Sequence, residues 1–237
     1  MRKKVKNDLF DYENRYIYQY EQGFKFSLDS ILLAEYVSNF KNKNILDLCT
    51  GNCVIPLILT TKYPCQIDAI EIQKEVFELA KESITLNKLE DEIYVYNFDA
   101  NDIFHKINKK YDIITCNPPY FKVDETSLVN KEELLNIARH EIKFKLEDLF
   151  KIANQYLNDK GRLYLIHTIS RLDEIIILGN KYNLNIKEIQ LIKTSSKNNP
   201  SLVIVKALKN SKAGVVVNNI INIENCKTYK NIFKKRG

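Results

Sequence analysis

Tyr111-Asp112-Ile113-Ile114-Thr115-Cys116-Asn117-Pro118-Pro119-Tyr120-Phe121 changes character halfway along. Its first six residues read as a buried strand centred on Ile113 and Ile114. Its last five cannot continue that strand, because a proline has no N–H to give a ladder and each proline restricts the residue before it. The chain therefore leaves the sheet at a rigid, extended elbow. Asn117 stands at the strand's carboxyl end, and Tyr120 projects just beyond. In open α/β sheets ligands sit at the carboxyl ends of the strands. An amide side chain, an exposed carbonyl and an aromatic ring at that place form a grip for a planar ring bearing an NH2 group. The bland alternative is that the tetrapeptide is only a loop. What decides between the two is the context upstream.

That context is legible. Asn44–Leu48 reads as a short buried strand, Cys49-Thr50-Gly51-Asn52-Cys53 as a tight loop, and 54–61 as a helix. The helix start offers free N–H groups, near Thr50, Gly51 and Asn52, to a polar or anionic ligand. Gln66–Glu71 is the second strand. Glu71, with Ile72 beside it, stands near the ~20-residue spacing after Asp47 at which an acidic residue grips ribose hydroxyls. Residues 74–87 form an amphipathic helix. Ile93–Asn97 is the third strand and ends at Phe98 and Asp99. Asp99 and its rival Asp102 are also suited to capping the short helix 103–107. Cys49 and Cys53 read as small buried residues, since as metal ligands they lack a second pair.

Downstream, 146–157 is helical, Arg162–His167 is a strand, and 172–178 is helical. Ile186–Ile192 and Leu202–Leu208 form a closing hairpin. Upstream, residues 1–22 are polar, tyrosine-rich and basic at the start. Phe24 and Phe26 alternate as in a short strand, and Ser27 is placed to cap a helix with Leu28, Ile31, Leu32, Ala34 and Val37 on its apolar face.

The whole chain bounds the rest. Its 237 residues suit one domain, read as a bordering segment 1–43, a core 44–223 and a basic tail 224–237. No apolar run approaches the ~18 residues of a membrane span, and the start lacks the apolar stretch of a signal peptide. Five cysteines without pattern fit a reducing cytoplasm. A formal charge of +6 permits a polyanionic partner without demanding one. There is no metal-ligand pattern of the H-E-x-x-H kind.

Several stretches carry a resemblance. Asn117-Pro118-Pro119-Tyr120 is similar to the N-P-P-Y motif of S-adenosylmethionine-dependent methyltransferases that act on planar amino or amide nitrogens. F-K-F-S-L-D-S-I-L-L-A, A-R-H-E at 138–141 and N-P-S-L-V-I-V-K-A resemble the bacterial tRNA(Val) adenine-N6 methyltransferase family. The Gly51 loop resembles the family's D-x-G-x-G-x-G, with Cys49 and Cys53 in place of two glycines. A positive φ would be strained there.

The resemblance implies a Rossmann-like class I fold: seven mostly parallel strands, the last antiparallel, with helices on both faces. It implies S-adenosyl-L-methionine as cofactor, bordered by Phe26, Ser27 and Asp29. Asp47, Thr50, Gly51, Asn52, Glu71, Ile72, Phe98, Asp99 and Asn117 would hold it, with Asp99 on the cofactor's adenine amino group. It implies Asn117, Pro118, Pro119 and Tyr120 as the catalytic elbow, and Tyr120, Phe121, Arg139 and His140 as substrate contacts, with an ordinary local ion pair of Arg139 and Glu141 equally open. The partner would be tRNA, at the adenine 3′ of the anticodon of tRNA(Val), with no metal, no membrane and no obligatory protein partner. Glutamine N5-methyltransferases share N-P-P-Y, but only about 43 residues precede the first core strand, too few for their usual N-terminal helical domain. A different RNA or DNA adenine methyltransferase, and an RNA-binding module that has lost the cofactor, remain as rivals.

Overall fold

Strand alternation sets three layers in the chain. The computed structural model describes residues 3–9, 12, 14–22, 26–119, 144–195 and 199–225. A hairpin of β1 (Lys4–Asp8) and β2 (Tyr16–Tyr20) leads to helix α1 (Leu28–Tyr36). Then come β3 (Lys43–Leu48), α2 (Val54–Lys62), β4 (Cys65–Ile70), α3 (Lys74–Leu86) and β5 (Ile93–Tyr96). A 3₁₀ turn, Ala100–Asp102, runs into α4 (Ile103–Lys106) and β6 (Tyr111–Cys116). The described chain resumes with α5 (Leu146–Tyr156), β7 (Leu157–Thr168) and α6 (Leu172–Lys181). It closes with β8 (Leu184–Lys193), β9 (Leu202–Lys209) and the two-residue strands β10 (Val216–Val217) and β11 (Ile221–Asn222).

Neighbouring residues in the central strands go to opposite faces, as a period of two requires. Ile45, Ile113, Tyr164 and Ile204 pack with α1, α2 and α3, while Leu46, Ile114, Leu165 and Val205 pack with α4, α5 and α6. These strands are buried on both sides, which is why they read as apolar runs.

The main sheet has the order β10-β8-β9-β7-β6-β3-β4-β5, with β11 also on β8. The strands β3 to β7 pair in parallel, and β9 pairs antiparallel with both β7 and β8. The expected seven strands and the antiparallel last one are present, and β10 and β11 widen the outer edge in parallel with β8. Of the strand expected at Phe24 and Phe26, Phe24 lies outside the described residues and Phe26 is not in a strand. The hairpin lies earlier, where Lys and Tyr alternate with partly buried residues. Among the described residues no helix is long and apolar enough to cross a membrane.

Candidate active site

Parallel strands deliver their carboxyl ends to one edge of the sheet. The loop 49–53 follows β3, Glu71 follows β4, Phe98 and Asp99 follow β5, and Asn117 follows β6. The predicted residues from these four separate stretches therefore line one rim.

The loop after β3 is built on three left-handed residues: Cys49 at φ 58°, Gly51 at 61° and Cys53 at 69°. The turn needs these conformations at the places where the related motif has glycine, and the two cysteines adopt them with the strain the sequence foretold. Glu71 holds the loop in place. Its Oε2 accepts from the Gly51 N–H at 2.9 Å and its Oε1 from the Gln73 N–H at 2.8 Å. Asn97 Nδ2 donates to the carbonyls of Glu71 at 2.8 Å and Ile72 at 3.1 Å. Burial raises the Glu71 carboxyl above its ordinary pKa, and these N–H donors oppose the rise.

Asp47 is fully buried, and its Oδ1 accepts from Thr115 Oγ1 at 2.5 Å. Its Oδ2 is buried without a hydrogen-bond partner. Desolvation pushes its pKa up to about 7, against the hydrogen bond from Thr115. Asn52 donates through Nδ2 to the Tyr18 carbonyl at 3.0 Å, and its Oδ1 is likewise buried without a partner. Two orphaned acceptors beside one loop suit a ligand that brings donors and positive charge.

At the elbow, Asn117 Nδ2 donates to Ser30 Oγ at 2.9 Å and to Ser27 Oγ at 3.3 Å. Ser27 occupies the N-cap position of α1 as expected, yet it makes no side-chain capping bond. Its hydroxyl serves Asn117 instead. With Nδ2 turned to α1, the amide oxygen faces the other way. Asp29 is buried in the first turn of α1, where the helix dipole favours a negative charge. Asp99 caps the 3₁₀ turn, accepting from the Asn101 N–H at 3.0 Å, while Asp102 makes no such bond. Phe98 is half-buried, its ring 6.1 Å from that of Tyr96.

Under the elbow, a cavity of about 120 Å³ is lined by Pro118, Pro119, Phe144, Leu149, His167 and Arg171, among others. Burial, and the charge of Arg171, hold His167 neutral with a pKa lowered to about 4. A larger hollow of about 540 Å³ lies at the opposite edge, around Asn42, Lys43 and Pro64. It is at the amino ends of the strands, away from every residue above, and carries no part of the site.

Tyr120, Phe121, Arg139 and His140 lie outside the described residues. Ser30, Thr115 and Asn97 escaped the sequence reading. Ser30 follows Ser27 by one helical turn, and Thr115 pairs with Asp47 across β3 and β6, so spacing and register were the available signals. Among the described residues no cluster of three His, Cys, Asp or Glu is placed to hold a metal ion.

Known proteins agree with this architecture. The chain is 28% identical over 179 residues to a tRNA1(Val) (adenine(37)-N6)-methyltransferase of Parabacteroides distasonis, covering 76% of this chain and 74% of that protein. It is 30% identical over 164 residues to the protein of the same description in Histophilus somni, covering 68% of each. A crystal structure of a predicted O-methyltransferase from Agrobacterium tumefaciens superposes with a TM-score of 0.63 at 19% identity, over 83% of this chain and 88% of that one. The profile of the methyltransferase small domain matches residues 25–178. The chain belongs to the methyltransferase small domain family, and is a methyltransferase that uses S-adenosylmethionine.

Proposed function

We propose that this enzyme methylates N6 of an adenine in tRNA, at position 37 of the anticodon loop of tRNA(Val), as a single domain in the cytoplasm. The observation that carries the chemistry is the Asn117 amide, anchored through Nδ2 by Ser27 and Ser30 and followed by two prolines. The descriptions of the two relatives above support the choice of RNA.

S-adenosylmethionine supplies an electrophilic methyl group on a sulfonium. Asp47 and Asn52, with their orphaned oxygens, take its cationic amino-acid end. Glu71 takes the ribose hydroxyls, with Ile72 alongside. Asp99 takes the adenine amino group, and Phe98 and Phe26 cover apolar surface. Thr50 and Gly51 let the backbone approach closely, and Asp29 sets the start of α1 at the cleft's border.

The exocyclic nitrogen of adenine is a poor nucleophile, because its lone pair is delocalised into the ring. Asn117 Oδ1 and the Pro118 carbonyl accept from its two N–H groups. Those bonds favour a pyramidal nitrogen and aim the lone pair at the methyl group. Pro119 keeps the elbow rigid, and Tyr120 stacks on the base with Phe121 beside it. Arg139 and His140 contact the RNA. This is catalysis by position and oriented dipoles, without a strong base. The base must leave its stack, which costs least in a single-stranded loop.

The test is methyl transfer from labelled cofactor to bulk tRNA, ribosomal RNA and a release factor, with the product located by mass spectrometry. Label at N6 of an adenine in tRNA is the expected result. Label on a release-factor glutamine, or none at all, would overturn the proposal.

A further inference from the structure

The N-terminal hairpin has a face that the reaction does not use. Register places Lys4 opposite Tyr20, Lys6 opposite Tyr18 and Asp8 opposite Tyr16, so these six side chains share one side. The other side carries Ile17 and Gln19, both buried against the body of the protein. Lys4 and Lys6 are exposed and the three tyrosines are half-exposed. Lys4 Nζ lies 4.7 Å from the Tyr18 ring centroid, and Lys6 Nζ lies 3.7 Å from that of Tyr16. Lys4 also pairs with Glu82, and Lys3 with Glu21. Among the described residues Lys6 has no ion-pair partner.

This face is held firmly and close to the site. Asn87 brackets Tyr16, accepting from its N–H at 2.9 Å and donating to its carbonyl at 2.6 Å. The Tyr18 N–H donates to Ser83 Oγ at 2.9 Å, and the Tyr18 carbonyl accepts from Asn52 in the loop after β3. A few residues past Tyr20 the chain reaches Ser27, which touches Asn117. The hairpin is thus tied to the rim of the cleft at two places.

Rings on one strand face recur every second residue, about 6.8 Å apart at the ~3.4 Å rise of a strand. That spacing gives each ring room for its own base. Stacking on aromatic rings, combined with cations that follow the phosphates, is how proteins hold single-stranded nucleic acid without reading its sequence. A lysine above a ring at an exposed site is held only weakly, so it can give way to a base and turn to a phosphate.

We propose that the Lys4–Lys6–Tyr16–Tyr18–Tyr20 face is a stacking platform for the unpaired RNA that flanks the target base. The proposal rests on the RNA reading above. It extends the substrate-contacting surface beyond the elbow to an element that precedes the catalytic core.

Full-length wild type, Tyr18→Leu, Tyr20→Leu, Tyr18→Phe, Tyr20→Phe and Lys6→Gln would be titrated into a fluorescent anticodon stem–loop and followed by anisotropy. Each leucine variant should weaken binding by about fivefold or more, and each phenylalanine variant should bind as wild type does, because the ring performs the stacking. Lys6→Gln should make the log–log salt slope shallower by roughly 0.7. Melting temperatures show whether the hairpin still docks. Where a leucine variant melts early, the Lys6→Gln slope alone decides. Unchanged affinity and slope in variants of a wild type that binds and methylates RNA would overturn the platform and leave the RNA reading standing. A wild type that binds no RNA would overturn both.

Discussion

Around Asn117, two serine hydroxyls hold one end of an amide, and under the proposed function that choice leaves its oxygen as the acceptor for the target nitrogen. Asn117→Ala should abolish methyl transfer, by about 10²–10³ in rate, with cofactor affinity nearly intact. Ser27→Ala with Ser30→Ala should lower kcat by about tenfold, the worth of one oriented hydrogen bond, and leave KM little changed. Steady-state kinetics beside calorimetric cofactor titration checks both. Asp47 sets a pH dependence. Its native pKa is raised to about 7 from the 3.8 of an unperturbed aspartate, so between these values the unfolded chain has lost a proton that the native protein keeps. Stability from this group is therefore fully present below the lower value and falls as pH rises towards the upper one. Asp47→Asn should flatten that fall in urea titrations. A cationic cofactor favours the ionised form, so its binding should tighten as pH rises towards about 7 and release a proton, seen as a buffer-dependent heat. At this scale Asp47, Glu71 and Asn117 were legible because each ends a strand. Ser30 and Thr115 were not, because only the fold makes them neighbours of the groups they hold.

The loop after β3 shows how an element can keep its shape after losing its preferred residues. Cys49 and Cys53 occupy left-handed conformations that cost non-glycine residues ~1–2 kcal/mol each. Cys49 is only partly buried, so Cys49→Gly should stabilise the protein, by roughly 0.5–1 kcal/mol after glycine's own entropy is counted. Cys53 is fully buried, and Cys53→Gly forfeits packing that offsets the relief. Chemical denaturation of both variants separates the two cases. The strand–loop–helix unit was readable from its apolar strand and lone glycine, whereas the positive φ at both cysteines was visible only as a cost. The hairpin β1–β2 escaped notice because its outward face is Lys and Tyr and its inward face includes Asn7 and Gln19, so no clean apolar alternation marks it. β10 and β11, two residues each, are too short to leave a pattern.

Across the whole molecule, the antiparallel direction of the last core strand came from family resemblance, and the order of the strands was not legible, since local sequence carries no sign that β9 lies between β7 and β8. The net charge of +6 has a testable consequence if the partner is tRNA: affinity should fall with salt, with a log–log slope of roughly −0.7 to −0.9 for each phosphate neutralised. A salt-independent interaction would speak for a protein substrate.

The position of β9 also governs how the protein can be made. It is the last long strand to leave the ribosome, yet it pairs along its length with β7 on one side and β8 on the other. A nascent chain that stops short of Leu202 has β3 to β7 in hand, and nothing to join β8 to them. Until residues 202–209 arrive, β7 keeps a bare edge beside Leu163 and Leu165, which need cover on a face of the finished sheet. Synthesis and assembly thus run in different orders, and the sheet locks from its interior only when its final long strand slides into the gap left for it.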